Sequence, residues 1–243
     1  MPQSAPVQVM ELAESADPRW KDLYLVGGIA NIVVALTTVF AVVAFFIWPY
    51  EPGMIPTADV FTTLQKDRLG GLIALDIVYL VAMLLSVLPV LALYAALKRV
   101  NESYALIALA LGLMAIVALI NARPIAELMS LSDRYAAATT DAARNQYLAA
   151  GEALLTLFNG TAWMVNLVLA SVSGLISCVL MLRTTIFSKA IAYLGIVVNI
   201  MSLLFFIPVA GLLLLFGATI GGVIFGIVVG LRFLQLARRS MSA

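Results

Sequence analysis

The sequence predicts an all-α polytopic membrane protein, a bundle of six transmembrane helices with short amphipathic helices capping the outer face. Three observations carry that prediction. Of 243 residues, 63% are hydrophobic and 11% charged, and mean hydropathy is +1.08; soluble domains place charge on about a quarter of their residues. Six apolar runs each approach or exceed the roughly 20 residues that cross a hydrocarbon core. Polar sequence is confined largely to the tails and to the connections between runs.

Residues 1–22 read as a flexible cytoplasmic tail. Pro2, Pro6 and Pro18 interrupt it, Glu11, Glu14, Asp17 and Asp22 make it acidic, and residues 7–14 suit a short surface helix. It lacks the basic start and apolar centre of a cleavable signal peptide, so the first span would serve as its own anchor. The transmembrane domain covers 23–236, with spans near 23–48, 69–97, 104–122, 157–182, 191–207 and 212–236. Pro49 stops the first span, the second carries Asp76 and Pro89, and only the segment around Pro208–Gly211 separates the fifth from the sixth. Residues 237–243 form a second cytoplasmic tail.

Two connections are long enough to hold structure. After Pro56, Thr57 is a plausible N-cap, and Val60, Phe61 and Leu64 share one helical face, which predicts a short interfacial helix. Between spans three and four, Pro124 suits a first helical position, and Ile125, Leu128 and Met129 recur at helical spacing. A second helix starts at Asp141, its apolar positions Tyr147, Leu148, Leu154, Leu155 and Phe158 leading into span four. These segments are expected to cover one face of the bundle.

Basic residues set the expected orientation. Arg19, Lys21, Lys98, Arg99, Arg183, Lys189, Arg232, Arg238 and Arg239 fall on one side, against Lys66, Arg68, Arg123, Arg134 and Arg144 on the other. Nine against five predicts both termini in the cytoplasm, with the protein in the cell (inner) membrane. Trp20, Trp48 and Tyr50 sit at span ends, where amphipathic rings anchor at the interface.

Histidine is absent, which removes Ser-His-Asp and Cys-His nucleophilic systems and His-ligated metals or haem. The single cysteine, Cys178, lies in an apolar run and allows no internal disulfide. Lys21, Lys66, Lys98 and Lys189 all lie at span edges, which argues against a retinal Schiff base. HExxH, P-loop and dinucleotide fingerprints are missing. No metal or cofactor is expected. A net charge of +1 without a basic tract makes nucleic acid a poor partner. An enzyme is the least expected class, since a carboxylate-only mechanism from Asp76 with Glu127 or Glu152 has nothing further behind it.

Asp76 is the one acidic residue well inside a span, at an insertion cost of about 2.5–3.5 kcal/mol. Such a group faces the bundle interior with a partner. Asn121 and Arg123 close span three on the same outer side, and Glu127, Glu152, Asn159 and Asn166 project to similar depth. These seven residues line an outward-facing polar cavity for an ion, proton or small ligand, or else Asp76 makes a structural ion pair. Asn159, Trp163 and Asn166 share a helical face, for ligand binding or for interhelical hydrogen bonds. Asn31 and Asn199 carry the same two readings. In span six Gly222, Gly226 and Gly230 form a small-residue stripe, suited to packing inside the bundle or to a homodimer.

Several stretches carry a family resemblance: Leu131-Ser-Asp-Arg-Tyr135 through Thr139-Thr140, Leu148-Ala-Ala-Gly-Glu152, Val179-Leu-Met-Leu-Arg183, Phe187-Ser-Lys189 and Ala192-Tyr-Leu-Gly-Ile196. Here the chain resembles a family of bacterial multipass membrane proteins catalogued as domain of unknown function 4386. The resemblance implies an all-helical membrane fold in the bilayer and brings no activity or site residue. Two function classes follow: a small-ligand or lipid-binding sensor or transporter, and a structural or accessory subunit that packs against another membrane protein.

Overall fold

The structure, a computed structural model, describes residues 17–47 and 55–239. The surface helix at 7–14, the Pro49 stop, the Trp48 and Tyr50 anchors and the last four residues lie outside the described residues. The described helices are α1 (Lys21–Ile47), α2 (Thr57–Lys66), α3 (Arg68–Ala74), α4 (Ile77–Leu85), α5 (Val87–Leu97), α6 (Glu102–Asn121), α7 (Ile125–Ala137), α8 (Asp141–Leu155), α9 (Thr161–Met181), α10 (Lys189–Leu203) and α11 (Gly211–Arg239). Six stretches are long and apolar enough to cross a membrane, built on α1, α4–α5, α6, α9, α10 and α11. The protein is therefore an all-α, six-span bundle.

The spans pack in chain order, each against the next, and α11 returns to α1. The ring closes. Its closure rests on glycine. A Cβ on Gly27 would sit 2.6 Å from Ala92 Cβ of α5, and one on Gly28 would sit 2.9 Å from the carbonyl oxygen of Gly230 in α11. Consecutive glycines thus let α1 approach a different neighbour on each side. Two of the three stripe glycines complete the seam: a Cβ on Gly230 would lie 3.0 Å from Gly28 O, and one on Gly226 would lie 3.4 Å from Ala35 Cβ. Asn31 Nδ2 donates to Gly226 O at 2.9 Å. Gly222 instead looks toward Val198 of α10, at an ordinary 3.8 Å. The stripe is divided between two helices of the same chain.

The second span departs from the single run read between Leu69 and Leu97. Asp76 adopts a left-handed conformation (φ 65°) between α3 and α4, one that Asp tolerates better than most residues. A second interruption falls at Ser86. Pro89 has no N–H for the carbonyl of Leu85, and its ring crowds that carbonyl, so α4 ends there and α5 restarts. Ser86 Oγ donates to Met83 O at 2.6 Å, taking up a carbonyl at the joint. The fourth span also starts later than expected: a 3-10 turn over Thr156–Asn159 and an extended Gly160 precede α9.

On one face, α2, α7 and α8 form the cap, around a core that includes Phe61, Leu75, Leu128, Leu155 and Phe158. Gly151 leaves room for the Phe61 ring, and Tyr135 packs on that ring with centroids 5.6 Å apart. Buried Ser132 donates to Phe61 O at 3.1 Å and accepts from Gln65 Nε2 at 3.0 Å, tying α7 to α2. Two expected helix starts shift by a residue. Pro56, not Thr57, occupies the N-cap position of α2 with no side-chain cap, and Pro124 is the N-cap of α7. Thr140 caps α8 as its helix start requires, accepting from Ala143 N at 3.3 Å.

The opposite, basic face is closed by Tyr24, Leu97, Met181, Phe187 and Phe233. Lys98 Nζ stands 4.3 Å over the Trp20 ring. Asp17 is buried there and pairs with Arg19 at 2.9 Å and Arg99 at 3.0 Å. Hydrogen bonds from the Arg19 side chain, aided by the Arg19 backbone N–H and the Arg99 charge, outweigh burial and bring its carboxyl down to about 2.

The seam makes a graded prediction. Gly230→Ala should lower thermal stability in detergent by about 1–3 kcal/mol, because its Cβ meets backbone that cannot move aside. Gly222→Ala should leave the melting temperature within error of wild type. Equal behaviour of the two variants would contradict the close α1–α11 approach.

Candidate functional site

Five of the six spans line a half-open cavity of about 260 Å³. It runs from Leu97, Ala105 and Ser177 near the basic face to Ile116 and Asn166, each five residues from the cap-side end of its helix. Along α6, eleven residues of rise make that about 16 Å. The walls are mostly apolar, with Val90, Leu93, Leu109, Phe225 and Val229 among them. Small residues create the space: Ala105, Ala108, Gly112 and Ala115 line it from α6, and Ala170, Ser173, Gly174 and Ser177 from α9. Both sets recur at helical spacing, so each presents one face.

Asn31, Ser86, Asn166 and Ser173 in the walls donate to backbone carbonyls. Asn166 Nδ2 donates to Ala115 O at 2.8 Å, and Ser173 Oγ donates to Ala108 O at 2.6 Å, joining α9 to α6. Asn31 donates to α11 as described. In lipid these bonds satisfy groups that water would otherwise serve. Among the described residues, neither Asn31 Oδ1 nor Asn166 Oδ1 accepts a hydrogen bond, so these amide oxygens join the serine hydroxyls as acceptors in a mostly apolar chamber.

Asp76 and Arg123 meet outside this chamber, under the cap. Arg123 Nε donates to Asp76 Oδ2 at 3.1 Å. The arginine side chain is 8% exposed and the aspartate 36%. Nη1 of Arg123 also donates to Phe158 O at 2.9 Å and Ala122 O at 3.2 Å, and the guanidinium lies 4.8 Å over the Phe158 ring. One cation therefore joins the break in span two, the end of α6 and the turn before α9. The left-handed turn at Asp76 brings its carboxylate to this junction.

The seven residues read as one polar cavity do not share one. Asp76 and Arg123 are together, and Asn166 lines the central cavity. Asn121 is exposed and donates to Val117 O of its own helix at 2.9 Å. Glu127, Glu152 and Asn159 are also exposed. The break at Gly160 takes Asn159 off the helix that carries Trp163 and Asn166. Trp163 packs edge-on against Phe205, with centroids 5.1 Å apart, and Asn199 donates to Gly195 O of its own helix at 2.7 Å. Ser86, Ser173, Ser177 and the small residues of α6 were not singled out by sequence. The signal for all but Ser86 was a small-residue repeat in spans three and four, masked by the general alanine content of the chain.

Fold and cavity together define a six-span α-helical membrane protein with a chamber at bilayer depth. Over residues 28–234 the chain matches the family described as "Domain of unknown function (DUF4386)", and it belongs to that family. Comparison with curated proteins and with solved structures gives no match.

The junction is testable by a double-mutant cycle. Asp76→Asn and Arg123→Gln should each destabilise the protein, by about 1.5–3 kcal/mol for charge-assisted hydrogen bonds. Arg123→Gln should cost more, since it also disturbs the bonds to Phe158 and Ala122. The double mutant should lose clearly less than the sum of the two. Additive losses in chemical or thermal unfolding would show that the two side chains act independently.

Proposed function

We propose that this protein is a binding module of the bilayer that holds a small amphiphile in its central cavity. The occupant is a mainly apolar molecule carrying one hydrogen-bond donor, such as a hydroxyl or ammonium group. The observation that carries this reading is the chamber itself: about 260 Å³, mostly apolar walls, and the amide oxygens of Asn31 and Asn166 among its acceptors. Sites for small molecules are characteristically apolar hollows with a few fixed polar groups, often between helices of a bundle. A sensor and a transporter would both use such a chamber. We place the basic face toward the cytoplasm, on the nine-to-five distribution of Lys and Arg, so that the chamber reaches from the cytoplasmic side past the middle of the membrane. An accessory-subunit role through the span-six stripe has less support, because Gly226 and Gly230 are turned to α1.

Decanol is a suitable probe, having one hydroxyl on an apolar chain. A ligand of the folded state raises stability by mass action, about 2.7 kcal/mol at one hundred times its dissociation constant. The melting temperature of the detergent-solubilised protein should rise saturably with decanol. Val90→Trp, which fills the chamber from α5, should fold and lose that response. A wild type indifferent to decanol, or an undiminished rise in Val90→Trp, would refute the reading.

A further inference from the structure

A second hollow lies on the outside of the ring, between α6 and α9 at the basic face. It measures about 340 Å³ and is lined by Tyr104, Leu175, Ile176, Val179, Leu180 and Arg183. Tyr104 stands in the first turn of α6, and Arg183 follows the last turn of α9, so both mark the level of the interface. Apolar wall runs from there down α9 to Leu175. Eight residues of helix make that length about 12 Å, against about 15 Å for half of the hydrocarbon core. Tyr104 is 53% exposed and Val179 44%, so the groove opens toward the surrounding lipid rather than into the ring.

The charge at its mouth is unanswered. Arg183 is exposed, and among the described residues no carboxylate pairs with it, Glu102 beside Tyr104 included. Other cations share this face: Lys98 at the end of α5, Lys189 at the start of α10, and Arg238 and Arg239 at the end of α11. A guanidinium at the headgroup level matches phosphate geometry, with its planar fork of donors. An apolar groove of leaflet depth beneath it matches an acyl chain.

We infer that the α6–α9 groove binds one anionic glycerophospholipid, its phosphate on Arg183 and an acyl chain along Leu175, Ile176 and Val179. The occupant is a lipid and not a free phosphate, because the apolar wall below the cation would otherwise stay unused. Tyr104 adds an amphipathic ring at the boundary between chain and headgroup. This site is separate from the central cavity and does not depend on it.

The test uses the full chain, purified and delipidated in detergent, then titrated with dioleoyl-phosphatidylglycerol or dioleoyl-phosphatidylcholine. Native mass spectrometry reads the lipid retained. Wild type should hold one phosphatidylglycerol in preference to phosphatidylcholine. R183Q should reduce phosphatidylglycerol retention about fivefold, the effect of one basic residue at an anionic surface, and leave phosphatidylcholine unchanged. V179W, on the exposed wall, should weaken both lipids while the melting temperature holds. Excess glycerol phosphate should displace neither. Wild-type retention in R183Q would overturn the inference, as would unchanged binding in V179W or displacement by glycerol phosphate.

Discussion

Helix α1 lies between α5 and α11, and the close backbone approach at Gly27, Gly28 and Gly230 closes the ring. Lipid offers little hydrophobic drive for helices to associate, so contact must come from dispersion at short range and from interhelical hydrogen bonds. Small residues supply the first and Asn31 on Gly226 O supplies the second. Without that seam the chamber would lose the wall that α1 and α11 share, since Asn31, Phe225 and Val229 all belong to it. The cavity is thus a consequence of where the glycines stand. Bulk toward a neighbour is excluded at the seam, while alanine, glycine and serine on α6 and α9 leave space inside.

The two ends of the bundle are finished by different chemistry. At the cap, Arg123 gathers three chain segments around one cation, and Ser132, Asp133 and Gln65 bind α7 to α2. At the basic face, apolar side chains close the ring and Asp17 fastens the start of the described chain to Arg99. The stretches that carry the family resemblance fall on both ends. Ser132, Tyr135 and Gly151 build the cap; Met181, Phe187 and Ala192 build the basic-face core, and Arg183 stands at the mouth of the lateral groove.

Spans were legible because lipid enforces a simple code, a long apolar run between polar connections. All six runs correspond to helices, and the cap helices stand where amphipathic spacing placed them. Breaks were less legible. A left-handed residue at Asp76 and an extended Gly160 are single-residue choices that tertiary contacts decide, and the projection of depth from an unbroken helix failed where those breaks fall. The meeting of Asp76 with Arg123 could be anticipated because both sit at the same end of neighbouring spans. Glu127, Glu152 and Asn159 could not be sorted that way, since depth says nothing about which side of a helix faces inward. The chamber was hidden for a further reason: its walls are small apolar residues, the least conspicuous kind in a membrane sequence.

Closure of the ring by α1 on α11 within one chain is the central claim, and a disulfide tests it directly. A Cβ on Gly226 would stand 3.4 Å from Ala35 Cβ, close to the roughly 3.5–4.5 Å that a disulfide spans. The pair Ala35→Cys and Gly226→Cys, in a Cys178→Ser background, should oxidise within one chain. Intact-mass analysis should show the loss of two hydrogens from a monomer, and digestion should recover one cross-linked peptide joining α1 to α11. Recovery of that peptide only from a covalent dimer, or of two free thiols after full oxidation, would contradict the closed ring.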